Sequence, residues 1–163
     1  MITEEHQITE QHEEQEGFSL TLREPGMLAW VHLMRVFHKV QRREMAHLSS
    51  HGLTIAQFDV LVQLSREEGI TQQTLADRLL VTKGNVCGLL DRMTEAGLLE
   101  RRADPDDRRA NMLHLTPAGR KLADHVFPTH QALIVAVMGT LAPAEQRTLG
   151  RLLGRLDRSL GEE

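Results

Sequence analysis

From Glu100 to Arg109 the chain reads ERRADPDDRR: eight charged residues in ten, four acids and four arginines, set around Pro105. The stretch that follows, NMLHL at 111–115, alternates, with Met112 and His114 on one side and Leu113 and Leu115 on the other. Alternation with a period of two belongs to a strand with one buried face, and Asp-Pro is turn chemistry. The pattern predicts a two-stranded hairpin whose tip carries Arg108 and Arg109. Arginines at an exposed tip grip phosphate oxygens or reach into a minor groove. Asp104, Asp106 and Asp107 would repel a polyanion that they faced. Some of them, Asp104 and Asp107 in the first place, are therefore expected to shape the loop, by accepting turn amides or holding the arginines in pose. The competing account is a self-neutralised knot of surface ion pairs, which is worth little energy.

A second group with chemistry to offer lies just upstream, in TKGNVCGLLDRMTEAG at 82–97. Thr82 caps a helix whose inward stripe is Val86, Leu89, Leu90 and Met93 and which Gly97 ends. With that stripe inward, Gly84, Gly88, Asp91 and Glu95 point outward. Asn85 and Arg92 occupy one shoulder, Lys83 and Cys87 the other. The leading turns thus present a small, polar, cationic surface. Recognition helices enter the major groove N-terminus first, where free amides bind phosphate and asparagine pairs bidentately with adenine. Two outward glycines each weaken an exposed helix by about 0.8–1 kcal/mol relative to alanine. Close approach of a duplex gives that cost a purpose. The DNA-binding set expected is Thr82, Lys83, Gly84, Asn85, Gly88 and Arg92, with Arg108 and Arg109 on the hairpin.

These residues need a scaffold, and periodicity supplies one. After Pro25-Gly26, the residues Leu28, Val31, Met34, Phe37, Val40 and Leu48 recur at helical spacing, widened by Trp30, Leu33 and Val36, up to His51-Gly52. So broad an apolar arc suits cover by a partner chain. Thr54 caps a second helix with Ile55, Phe58, Leu61, Val62 and Leu64 inward. Thr71 caps a third with Leu75, Leu79 and Leu80 inward. The third helix and the Thr82 helix make a helix-turn-helix, and the hairpin after it makes a wing. Thr116-Pro117 restarts helix, which is broken or kinked near Pro128. A last helix puts Leu149, Leu152, Leu153, Leu156 and Leu160 on one face. The fold class expected is mainly α with a small β-hairpin: a winged helix-turn-helix between N- and C-terminal dimerisation helices. The boundaries expected are an acidic, flexible leader over 1–25, helical dimerisation segments over 26–52 and 117–163, and a DNA-binding unit over 53–116.

Composition agrees. Aromatics make up only 3% of the 163 residues and tyrosine is absent, so the core is built from Leu, Val, Met and Ala, as in helical proteins. The net charge is −4, yet the first 17 residues hold six glutamates and no lysine or arginine, which leaves the remainder net positive. One cysteine, Cys87, excludes an internal disulfide framework and reads as a small packing residue. The histidines, His32, His38, His47, His125 and His130 among them, read as solvated or core-edge groups, and no metal and no cofactor are expected. The longest apolar run, ALIVAVMG, is far short of the roughly 20 residues that span a bilayer, and the start is no signal peptide. The expectation is a cytoplasmic protein with no membrane partner. No phosphate-cradling glycine loop, nucleophile elbow or metal-ligand spacing points to an enzyme.

From TQQTLADRLL through the wing to LTPAGR at 115–120, the chain resembles the MarR family of bacterial transcriptional regulators. Asp104, Asp107 and Arg109 stand in the family's D-x-x-D-x-R wing pattern, and with GLTIAQFDVL and the terminal helices the likeness covers about residues 27–160. The resemblance implies a homodimer joined through its terminal helices, bound to a pseudo-palindromic operator in double-stranded DNA. It also implies release by a small aromatic or anionic effector or an oxidant. Asp59 and Arg101 match positions that couple ligand to DNA in urate-responsive members, and Trp30 joins them as a ligand-binding candidate. The recognition-helix arginine of that subgroup is Leu89 here, and Trp30 lies in the first long helix rather than an added one. The alternative function is a winged-helix protein-interaction module without an operator.

Overall fold

Four threonines set the starts of four helices. The computed structural model describes residues 24–103 and 111–161. Thr54, Thr71, Thr82 and Thr116 each take up an extended backbone conformation and accept an N–H from the residue three places on. Thr54 and Gln57 form the reciprocal capping box, the Gln57 side chain accepting the Thr54 N–H at 2.9 Å. The elements in order are α1 (Pro25–Ser49), α2 (Ile55–Arg66), β1 (Ile70–Thr71), α3 (Gln72–Arg78), α4 (Lys83–Glu95), β2 (Leu99–Ala103), β3 (Asn111–Leu115), α5 (Pro117–Met138) and α6 (Pro143–Leu160).

The chain divides into two compact units between Arg43 and Glu44, within α1. In the first, α1 carries Met27, Leu28, Trp30, Val36 and Phe37 exposed. The second has one apolar core. Leu48 and Leu53 meet Phe58, Val60, Leu61 and Leu64 of α2, Leu75 and Ala76 of α3, and Val86, Leu90 and Met93 of α4. Leu99, Leu113 and Leu115 close it from the sheet, and Ala123 and Val126 from α5. The alternation read at 111–115 holds, with Leu113 and Leu115 buried and Met112 and His114 partly so.

Three features differ from expectation. The wing is part of a three-stranded antiparallel sheet in the order β1-β3-β2, because Ile70 and Thr71 pair with Leu113 and Met112 on the free edge of β3. Helix α5 runs unbroken through Pro128, which lies on its exposed side, where water can take the place of the missing N–H. Leu80, expected inward, is 92% exposed with φ of 54°, because α3 stops at Arg78 and the backbone turns left-handed two residues later. Helix α6 buries no residue, and Leu152, Leu153, Leu156 and Leu160 stand exposed along it. Among the described residues no single helix is long and apolar enough to cross a membrane.

Within the second unit, the first turn of α5 sits directly on the backbone of Gly97 and Leu98. The Thr116 N–H donates to the Leu98 carbonyl at 3.1 Å and the Thr116 hydroxyl to the Gly97 carbonyl at 2.6 Å. Gly119, one turn on, is buried so closely that a Cβ there would fall on the Leu98 carbonyl oxygen. Backbone cannot step aside as a side-chain end does. Gly119→Ala will therefore lower stability by at least about 2 kcal/mol, seen as a lower urea midpoint, while Gly84→Ala, which meets open space, will raise helix stability.

Candidate nucleic-acid interface

Helix α4 anchors one face and leaves the other bare. Val86, Leu90 and Met93 are fully buried, while Gly84, Asn85, Cys87 and Arg92 are exposed and Gly88 is half-buried. The first turn carries no acid, and the Thr82 oxygens accept the Asn85 and Val86 N–H groups further along. The leading amides of Lys83 and Gly84 thus keep the partial positive charge of a helix N-terminus, which favours an anion. A Cβ on Gly84 would touch nothing, and one on Gly88 would meet only the Arg92 guanidinium at 3.6 Å. Among the described residues nothing packs so closely on either position that it requires glycine. The acids expected further along are there, and Asp91 has a task.

That task is to hold the root of the wing. The Arg101 guanidinium on β2 donates to the Asp91 carboxylate on α4 at 2.6 Å, both groups partly exposed. Cys87 Sγ lies 3.9 Å from the same carboxylate. On the next residues of β2, Arg102 pairs with Glu100 through its Nε at 2.9 Å. Glu68, between α2 and β1, accepts the Leu115 N–H at 3.2 Å, takes the Arg120 guanidinium, and lies 3.6 Å from His114 Nδ1. Arg78 of α3 pairs with Glu67 at 2.6 Å. Apart from Arg102–Glu100, which lies within β2, these pairs cross between segments, so their value lies in fixing orientation more than in adding stability. Asp104, Asp107, Arg108 and Arg109 lie outside the described residues, as does the acidic leader to residue 23.

Asp59 and Arg101 do not line the same cleft. Asp59 lines an open cleft of about 690 Å³ with Phe58, Arg66, Phe127 and His130. Arg101 is engaged by Asp91 and lines no part of that cleft, and Trp30 belongs to the first unit. Burial, then the nearby Glu44 carboxylate, pushes the Asp59 carboxyl above its ordinary value, with His130 acting the other way. His130 Nε2 lies 3.1 Å from Glu44 Oε1 and its ring lies 4.4 Å from that of Phe58. Sequence reading missed the company that His130 keeps: His47, His51 and His125 form a chain of ring contacts with it at 5.0–6.3 Å. The spacing of His47 and His51 by one helical turn was the only local signal. Burial, with His51 and His130 nearby, holds the His47 imidazole below its ordinary value.

Comparison with known proteins decides what this surface belongs to. A profile of the MarR family matches residues 51–110. The uncharacterised HTH-type transcriptional regulator YkoM of Bacillus subtilis is 33% identical over 119 residues, covering 73% of this chain and 77% of YkoM. The chain belongs to the MarR family. The crystal structure of AbsC, a MarR family regulator from Streptomyces coelicolor, superposes with a TM-score of 0.80 at 26% identity, over 87% of this chain and 98% of AbsC. A mutant MarR from E. coli complexed with operator DNA gives 0.74 at 28% identity, over 84% and 97%. This MarR-family chain is a DNA-binding transcriptional regulator and not an enzyme, with the winged helix architecture expected of it.

Asp59 at the cleft and His47 beside His130 set a pH dependence. Asp59 is easier to protonate in the folded chain than in the unfolded one, so the stability that its neutral form carries is present below the ordinary carboxyl value of 3.8 and is lost as pH rises through the raised one. For His47 the folded value lies below the ordinary 6.5, so stability is complete above 6.5 and falls as pH drops through the lowered one. Asp59→Asn will therefore be more stable than the parent at neutral pH, and its stability will lack the decline above pH 3.8. Urea titrations at a series of pH values read both.

Proposed function

We propose that this MarR-family regulator is a homodimeric repressor in the cytoplasm, reading a pseudo-palindromic operator and released by a small effector. The observation that carries operator reading is the leading end of α4. It is exposed, free of acids and bare at Gly84, although the chain could have filled that space at no steric cost. Thr82, Lys83, Gly84 and Asn85 are assigned to base edges and nearby phosphates, Gly88 to close approach, and Arg92 to the flanking backbone. Arg108 and Arg109 are assigned to phosphate or the adjacent minor groove. Residues 53–116 form the DNA-binding part on this reading. Arg101 acts through Asp91, by holding the wing root against α4.

Helix α6 supports the homodimer. Four leucines exposed on a helix with no buried residue call for cover, and a second copy supplies it with the two-fold symmetry that a pseudo-palindrome mirrors. The cleft at Asp59 supports an effector with an aromatic or apolar body, since Phe58 and Phe127 form its walls. An anionic effector would find Arg66 and His130 in its favour and Asp59 and Asp124 against it.

Footprinting on the promoter beside the chain's own coding region will show two protected half-sites about one helical turn apart, with a dimer in sedimentation. Pull-down of a protein without any footprint would instead favour the interaction-module reading. Asn85→Ala will weaken operator binding about tenfold and relax the preference at one base pair. Arg109→Ala will weaken binding and reduce the salt slope by about one ion.

A further inference from the structure

Four residues of the described chain have positive φ, and three of them, Gly52, Gly69 and Gly97, are glycines. The fourth is Leu80, in the turn between α3 and α4. The turn is a regular helix stop: the Val81 N–H donates to the Ala76 carbonyl at 3.1 Å and the Leu80 N–H to the Asp77 carbonyl at 3.2 Å. Glycine is the usual residue at the left-handed position of such a stop, because a Cβ there crowds the backbone. The chain places a branched apolar side chain there, and that side chain is 92% exposed, with Val81 beside it 42% exposed. Leu80 therefore strains the backbone and buries almost nothing within its own chain. The fold has no use for it.

What lies next to it suggests the use. Leu80 stands two residues before Thr82, the cap of the helix whose leading end is assigned to the operator. We infer that Leu80 is a DNA-contacting residue, pressing its side chain on an apolar carbon surface of the duplex: a thymine 5-methyl group or the face of a deoxyribose. This inference rests on the DNA-binding reading of α4. Both surfaces are available to a side chain at the groove edge, and burying a leucine there returns what its exposure in the free protein forgoes. The contact is uncharged, so it adds affinity without adding a displaced counterion.

The test uses the full chain and a randomised duplex library. Wild-type protein is first used to select a site, and failure to enrich any duplex would overturn the DNA reading itself, and the Leu80 contact with it. On the enriched duplex, Leu80→Gly, which relieves the strain, will unfold at higher urea yet bind roughly fivefold or more weakly, with the salt slope unchanged. Leu80→Asn, which tolerates the left-handed backbone but is polar, will also bind more weakly. Replacing each thymine by deoxyuridine in turn then separates the two surfaces. Loss at one position in wild type but not in Leu80→Gly assigns the methyl group; equal behaviour throughout assigns the sugar. Wild-type affinity in both variants would overturn the Leu80 contact while leaving operator binding by α4 intact.

Discussion

The meeting of Gly119 with the Leu98 carbonyl is the constraint on which the DNA-binding surface depends. Leu98 stands between the end of α4 and the start of β2, so whatever fixes its backbone fixes both the reading helix and the wing root. Thr116 holds Gly97 and Leu98 by two hydrogen bonds, and Gly119 lets the first turn of α5 lie flush on them. Glu68 adds a second bond between the sheet and the same turn through Leu115 and Arg120. A helix of 22 residues is thereby joined rigidly to the place where strand pairing begins. The packed leucines beneath supply the energy, and these few polar contacts supply the angle.

Rigidity at the root contrasts with bareness at the surface. Beside the Thr82 cap, the outward positions from Leu80 to Gly88 hold an exposed leucine, two glycines and an asparagine, none of which the packing of the described residues demands. Local rules are broken there in a consistent direction, towards steric openness and incomplete satisfaction, as expected where a partner completes the structure. The cleft at Asp59 shows a second departure of that kind. A partly buried carboxylate with another carboxylate nearby costs stability, and such costs concentrate at binding sites.

Much of the fold could be read from the sequence because its signals are local. Thr54, Thr71, Thr82 and Thr116 are caps visible three residues ahead of their partners, and Leu113 and Leu115 announce the buried face of β3 by alternation. Strand β1 was hidden because two residues carry no period. Leu80 misled because an apolar type at helical spacing implies burial only while the helix continues, and the helix ends at Arg78. Pro128 does not end α5, since on its exposed side water can take the place of the missing N–H at the Asp124 carbonyl. At the site, the open leading turn of α4 was legible from residue size and charge. The Arg101–Asp91 pair was not, because it depends on how a strand folds back over a helix. Nor was the ring contact of His47 with His130, whose members lie far apart in the chain.

Pro128 also has a mechanical meaning. Lacking an amide hydrogen, it leaves the Asp124 carbonyl without its usual rung in the helical ladder, and Asp124, Phe127 and His130 all border the Asp59 cleft. The spine of α5 is thus most compliant at the height of that cleft. Bending therefore costs least at that height, while the other end of the helix is seated against the Leu98 backbone.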